Sequence, residues 1–186
     1  QPPIWLNQVH GTSVYDAYAE TNEIPTADAA VTTQQALPLT VMTADCLPVL
    51  FCDRTGTVVA TAHAGWRGLC QGVMENTLES MQVPVDDILV WLGPAIGPQA
   101  FEVGEDVRSA FLAQNSEAEA AFLPTATDGK YFADIYTLAK IRLHAKGVHQ
   151  IYGGQFCTFS DEQRFYSYRR SGQTGRMAGL IWLSNK

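Results

Sequence analysis

Three side chains with soft-metal affinity stand at the ends of strand-like segments. They are His10 in Asn7-Gln8-Val9-His10-Gly11, Cys46 in Thr43-Ala44-Asp45-Cys46-Leu47-Pro48, and His63 in Ala62-His63-Ala64-Gly65-Trp66-Arg67-Gly68. One thiolate and two imidazoles make a three-ligand set that leaves zinc's fourth position open, the arrangement of a catalytic rather than a structural site. The separations, 36 and then 17 residues, follow no local metal motif. Isolated His and Cys at strand ends also serve as packed or hydrogen-bonded core residues, so residue types alone leave both readings open.

Charged groups cluster near the same segments. Gly65-Trp66-Arg67-Gly68 opens a helix-like run, so its backbone N–H groups and the Arg67 fork form a candidate anion site beside His63. The plain alternative is a glycine-built strand-to-helix turn. Asp45 precedes Cys46 and a proline that turns the chain, which makes it a candidate general acid or base, a partner orienting a ligand imidazole, or a solvated carboxylate. Arg169 and Arg170 offer a second anion contact or a charged strand edge, and Glu102 is a further acid to consider. The stiff Gly93-Pro94-Ala95-Ile96-Gly97-Pro98 loop suits a pocket wall. His144 and His149 read as surface residues, and Cys52, Cys70 and Cys157 as small buried hydrophobes.

These residues need a scaffold of ordinary globular composition. The chain has 186 residues, 46% hydrophobic and 17% charged, enough for one domain with a substantial core and unlike a disordered or fibrous protein. A net charge of -7 without basic runs argues against nucleic-acid binding. A small phosphate-bearing substrate remains compatible, because a few arginines suffice for one phosphate. Four cysteines without a secretory leader read as reduced thiols in the cytoplasm, and no apolar run is long enough to span a membrane.

β-Branched and aromatic runs predict strands at Ile4 to Val9, Ala29 to Thr32, Leu39 to Thr43, Pro48 to Asp53, Thr57 to Ala62, Ile88 to Gly93, Gln150 to Gly153, Phe165 to Arg169 and Met177 to Leu183. Helical spacing predicts helices over Gly68 to Met81, Gly104 to Gln114 and Ala133 to Lys146, the last capped by Asp134. Ser116 to Ala121 reads as a surface helix or loop. Strands and helices interleave without a regular alternation, which predicts a mixed α+β fold of packed sheets with helices outside.

Together with Asp28-Ala29, Gly93-Pro94-Ala95-Ile96-Gly97 and Phe165-Tyr166-Ser167-Tyr168-Arg169-Arg170, the three ligand segments resemble the YfiH family, also called laccase-domain or polyphenol-oxidase-type proteins. The likeness runs over essentially the whole chain, with the motifs in the family's order. It implies a layered α/β/β/α mixed-sheet fold and a zinc site formed by His10, Cys46 and His63. It further implies purine nucleoside phosphorolysis on adenosine, inosine and methylthioadenosine, with adenosine deamination as a related activity and peptidoglycan-precursor editing in some bacterial members. On this likeness, residues 1–186 form a single domain that lacks an upstream segment carrying a Ser-Thr-Arg-x-Gly-Gly-like motif.

The older oxidase label meets a shortage of ligands. A multicopper oxidase needs about ten histidines, and this chain has four. Copper could still replace zinc at the trio, since it binds such ligands more tightly. For phosphorolysis, Gly65, Trp66, Arg67 and Gly68 with Arg169 or Arg170 would hold phosphate, and Asp45 or the metal would act at the purine. The His-x-Glu and Pro-Cys-x-x-Cys pattern of cytidine-type zinc deaminases is absent. A Cys46–His63 hydrolase and a zinc-stabilised binding module are the alternatives.

Overall fold

The computed structural model describes residues 1–18 and 23–184. Its framework is a six-stranded mixed sheet in the order β1 (Val14–Asp16), β2 (Ala29–Thr32), β5 (Val59–Ala64), β4 (Leu47–Asp53), β6 (Ile88–Leu92) and β10 (Gln150–Gly153). The four inner strands pair antiparallel, and β1 and β10 join parallel at the two edges. β5 is buried along its whole length, as befits a central strand covered on both faces, whereas β6 turns Trp91 partly outward.

Helices cover one face of this sheet. α1 (Trp66–Gln71) and α2 (Val73–Met81) follow β5 directly, and α4 (Ile135–Ala145) adds Leu138, Ala139 and Leu143 to the core built on Val49, Phe51, Val90 and Leu92. The other face packs against a two-stranded antiparallel sheet of β3 (Leu39–Thr43) and β11 (Met177–Ile181). Ile4, Leu6, Leu37, Leu39 and Val59 fill a second core beside it. A small sheet of β7 (Glu102–Gly104), β9 (Lys130–Ala133) and β8 (Phe122–Pro124) leans on α3 (Glu105–Gln114). This is the layered α+β architecture with mixed sheets that the sequence predicts.

Several predicted elements change form. The helix expected over Gly68 to Met81 breaks in two at Gly72, whose φ of 104° is left-handed and ends α1. Ile4 to Val9 is extended chain with isolated bridges from Ile4 to Leu39 and Asn7 to Thr26, not a ladder strand. Phe165 to Arg169 is no strand: Ser167 accepts the Arg170 N–H and caps a one-turn helix, α5 (Tyr168–Ser171). Ser116–Ala121 is a 3₁₀ helix capped by Asn115. Asp134 caps α4 as expected, accepting from the N–H groups of Tyr136 and Thr137.

Candidate metal centre and cleft

The β4–β5 register, with Pro48 opposite His63 and Leu47 opposite Ala64, brings Cys46 beside the end of β5. His10 arrives from the N-terminal segment in a left-handed conformation, φ 61°. The three potential ligand atoms lie within 4.8 Å of one another, with Cys46 Sγ 3.9 Å from His10 Nε2 and the two imidazoles edge to face at 4.7 Å. His63 is buried, Cys46 is half-buried and His10 is exposed.

Two residues let these groups converge. Gly65 N-caps α1 at the floor of the trio, where a Cβ would stand 2.9 Å from His10 Cδ2 and 3.1 Å from Cys46 Sγ. Asp28 is fully buried and takes His63 Nδ1 at 2.8 Å, leaving Nε2 directed to the cluster. Burial opposes charge on Asp28, but hydrogen bonds from His63 and the N–H groups of Gly11, Val9 and His10 hold its carboxyl below the usual range.

The same geometry tunes the ligands. Burial works against a charged Cys46, yet hydrogen bonds from His10 and His63 bring its thiol down to about 7. Burial also disfavours charge on His63, but Asp28 and Cys46 push it up to about 9. A thiolate and two imidazoles with a carboxylate behind one ring match a three-ligand zinc site with an open position, so the residues fit the ion. His144 and His149 stack on each other at 5.6 Å and take no part.

The cluster lines a cleft of about 640 Å³ together with Gln8, Met42, Trp66, Ile96, Phe101, Ile135, Tyr168, Arg169 and Arg176. The rigid loop after β6 thus contributes a wall through Ile96. Arg169 donates to the Glu102 backbone oxygen at 3.0 Å and lies over the Phe101 ring, and Arg176 lies over Tyr168.

Other expected site residues are placed differently. Arg67 is exposed, stacks on Trp66 at 4.5 Å and does not line the cleft. Gly68 supports packing, since its Cβ would meet the Gly11 carbonyl oxygen at 2.7 Å. Arg170 donates to the backbone oxygens of Thr158, Phe159 and Phe165, which ties the C-terminal segment together. Asp45 is buried with φ 92° and accepts from Thr158 Oγ1 at 2.6 Å, Ser167 Oγ at 3.0 Å and Arg169 N at 2.6 Å. It fastens α5 to the Cys46 turn. It is Asp28, not Asp45, that holds the His63 imidazole. Sequence reasoning passed over Asp28 in that role, because an acid before an apolar strand carries no mark of its partner. Cys70 is buried as expected, while Cys52 and Cys157 are half-buried and all four thiols are free.

Among the described residues, one His-Cys-His cluster able to hold a single metal ion stands in a cleft of a layered α+β fold. Comparison with known proteins agrees with the fold and sharpens it. A family model described as multi-copper polyphenol oxidoreductase laccase matches residues 1–184. A purine nucleoside phosphorylase of Pseudomonas aeruginosa is 58% identical over 98% of this chain and 75% of its own length. Purine nucleoside phosphorylase YfiH of Escherichia coli is 54% identical over 97% and 74%. A crystal structure from Neisseria meningitidis superposes with a TM-score of 0.96 at 51% identity, covering 99% of this chain and 76% of that one. The YfiH protein of Bacillus licheniformis follows at 0.90 and 26% identity, covering 98% and 74%. The chain belongs to the YfiH, or laccase-domain, family.

Proposed function

We propose that this protein is a zinc-dependent purine nucleoside phosphorylase acting on adenosine, inosine and methylthioadenosine, with adenosine deamination as a related activity. The observation that carries the reading is the cleft, in which a three-ligand metal set, two arginines and apolar or aromatic walls share one space. A purine calls for apolar walls with few polar contacts, and a phosphate calls for cations. The phosphorylase names of relatives at 58% and 54% identity support the same reaction class.

In phosphorolysis the C1′–N9 bond breaks, the purine leaves with the bonding pair and takes the proton that hydrogen phosphate gives up, and a phosphate oxygen bonds to C1′. Held by His10, Cys46 and His63, zinc would supply a Lewis acid in the cleft. Arg169 and Arg176 hold the phosphate. Arg169 is set in place beforehand, since its backbone N–H is fixed by Asp45 and one guanidinium nitrogen by Glu102. Ile96, Phe101 and Ile135 line the purine's surroundings and exclude water. Asp45 serves this scheme by holding Arg169 and α5 through the three hydrogen bonds its oxygens accept.

The Cys46–His63 hydrolase remains a second reading, favoured by the lowered Cys46 thiol. Metal-quantified protein incubated with adenosine, with and without phosphate, separates the cases. Phosphate-dependent release of adenine and ribose 1-phosphate in excess over protein supports phosphorolysis, and inosine reports deamination. Zinc-loaded protein that turns over no nucleoside would sink the proposal and direct attention to peptidoglycan precursors. Thiol alkylation blocked by zinc would count against a nucleophilic Cys46.

A further inference from the structure

We infer that Asp28 is the positioning residue of the metal centre, one carboxylate that sets the His63 tautomer and also shapes the His10 loop. The inference rests on the metal role proposed above for His10, Cys46 and His63.

Asp28 is 0% exposed and its two oxygens divide the work. Oδ1 accepts from His63 Nδ1 and from His10 N, both at 2.8 Å, while Oδ2 accepts from Gly11 N at 2.7 Å and Val9 N at 3.2 Å. The Asp28 carbonyl takes the His63 backbone N–H at 2.7 Å, so one residue grips His63 by main chain and side chain. Three consecutive N–H groups converging on one carboxylate form an anion-binding concavity, here filled from within the chain, and they hold His10 at φ 61°.

These donors require an acceptor-only group, because an ionised carboxylate offers about four lone-pair sites and no proton. A buried carboxylate is costly unless fully hydrogen-bonded, so an interior Asp whose lone pairs all go to the ligand segments points to that task. Asn has nearly the same shape and fails in either orientation. With its NH₂ at the Oδ2 position it faces the N–H groups of Val9 and Gly11. With its NH₂ at the Oδ1 position it donates to His63 Nδ1, which moves the imidazole proton to Nε2 and removes the lone pair that a metal would use.

Zinc affinity of wild type and Asp28→Asn, measured by competition with a chromophoric chelator, is expected to differ about 10- to 100-fold. Equal affinity in a wild type that binds zinc overturns this inference and leaves the metal centre standing, whereas a wild type that takes up no zinc overturns both. A second measurement needs no variant: wild type loaded with NMR-active cadmium and labelled at the histidine nitrogens. Cadmium coupling to His63 Nε2, with the proton on Nδ1, is expected. Coupling to Nδ1 overturns the inference even if Asp28→Asn does not fold.

Discussion

Gly65→Ala tests the convergence of the three ligands with the smallest possible change. Gly65 sits at φ -63° and ψ 155°, a conformation alanine adopts without strain. The added methyl would lie 2.9 Å from His10 Cδ2, 3.1 Å from Cys46 Sγ and 3.6 Å from His63 Nε2. Non-bonded carbon atoms prefer about 3.5–4.0 Å, so His10 and Cys46 must each withdraw by roughly half an ångström or more. Metal–ligand distances tolerate only about 0.2 Å. At least one donor is therefore lost, and zinc affinity should fall more than about tenfold, or about 1.4 kcal/mol. His10 is exposed and can swing outward, so the melting curve of metal-stripped protein should move by less than the equivalent of about 1 kcal/mol. Chelator competition gives the affinity and calorimetry gives the stability. Zinc binding by Gly65→Ala as tight as in wild type would refute the placement of the donors around this floor.

Cys46→Ala should lose zinc and nucleoside turnover together, while half-buried Cys52→Ala keeps both; equal zinc content in wild type and Cys46→Ala would reject Cys46 as a ligand. Tyr136→Phe removes a hydroxyl that accepts from Ala95 N at 2.7 Å and donates to the Phe156 or Gly93 carbonyl, so unfolding free energy in urea should drop by about 1–3 kcal/mol. Burial pushes the Tyr136 hydroxyl from 10.0 up to about 12, so its contribution is whole below pH 10 and fades as pH rises toward 12; melts should show a steeper alkaline loss in wild type than in Tyr136→Phe. Asp53 behaves oppositely. Burial resists its charge, but hydrogen bonds from Thr55, Val58 and Thr57 hold its carboxyl well below 3.8, so it stabilises above that pH and the contribution disappears as acid is added. Asp53→Asn should flatten the acid limb of stability, and an unchanged limb would refute the turn-capping role.

What local sequence determined here is the set of groups that resist being read as filler and the elements that carry them. His10, Cys46 and His63 stand beside turn residues, and the strand runs around Ala29, Leu39, Pro48 and Ile88 are visible because burial on both faces demands continuous apolar stretches. The Asp134 cap is legible for a different reason, since its partners are only two and three residues away. Tertiary structure decided everything that depends on distant partners. Asp45 turns out to fasten Arg169, a residue 124 positions later, and Asp28 reaches His63 across 35. Arg67 and Arg170 looked like anion ligands because charge is visible in sequence and direction is not. The fold sent one onto Trp66 and the other onto backbone carbonyls, and brought Arg176 to the cleft in their place. Side-chain type sets what a group can do, but only the strand register and the loops closing over it set what that group faces.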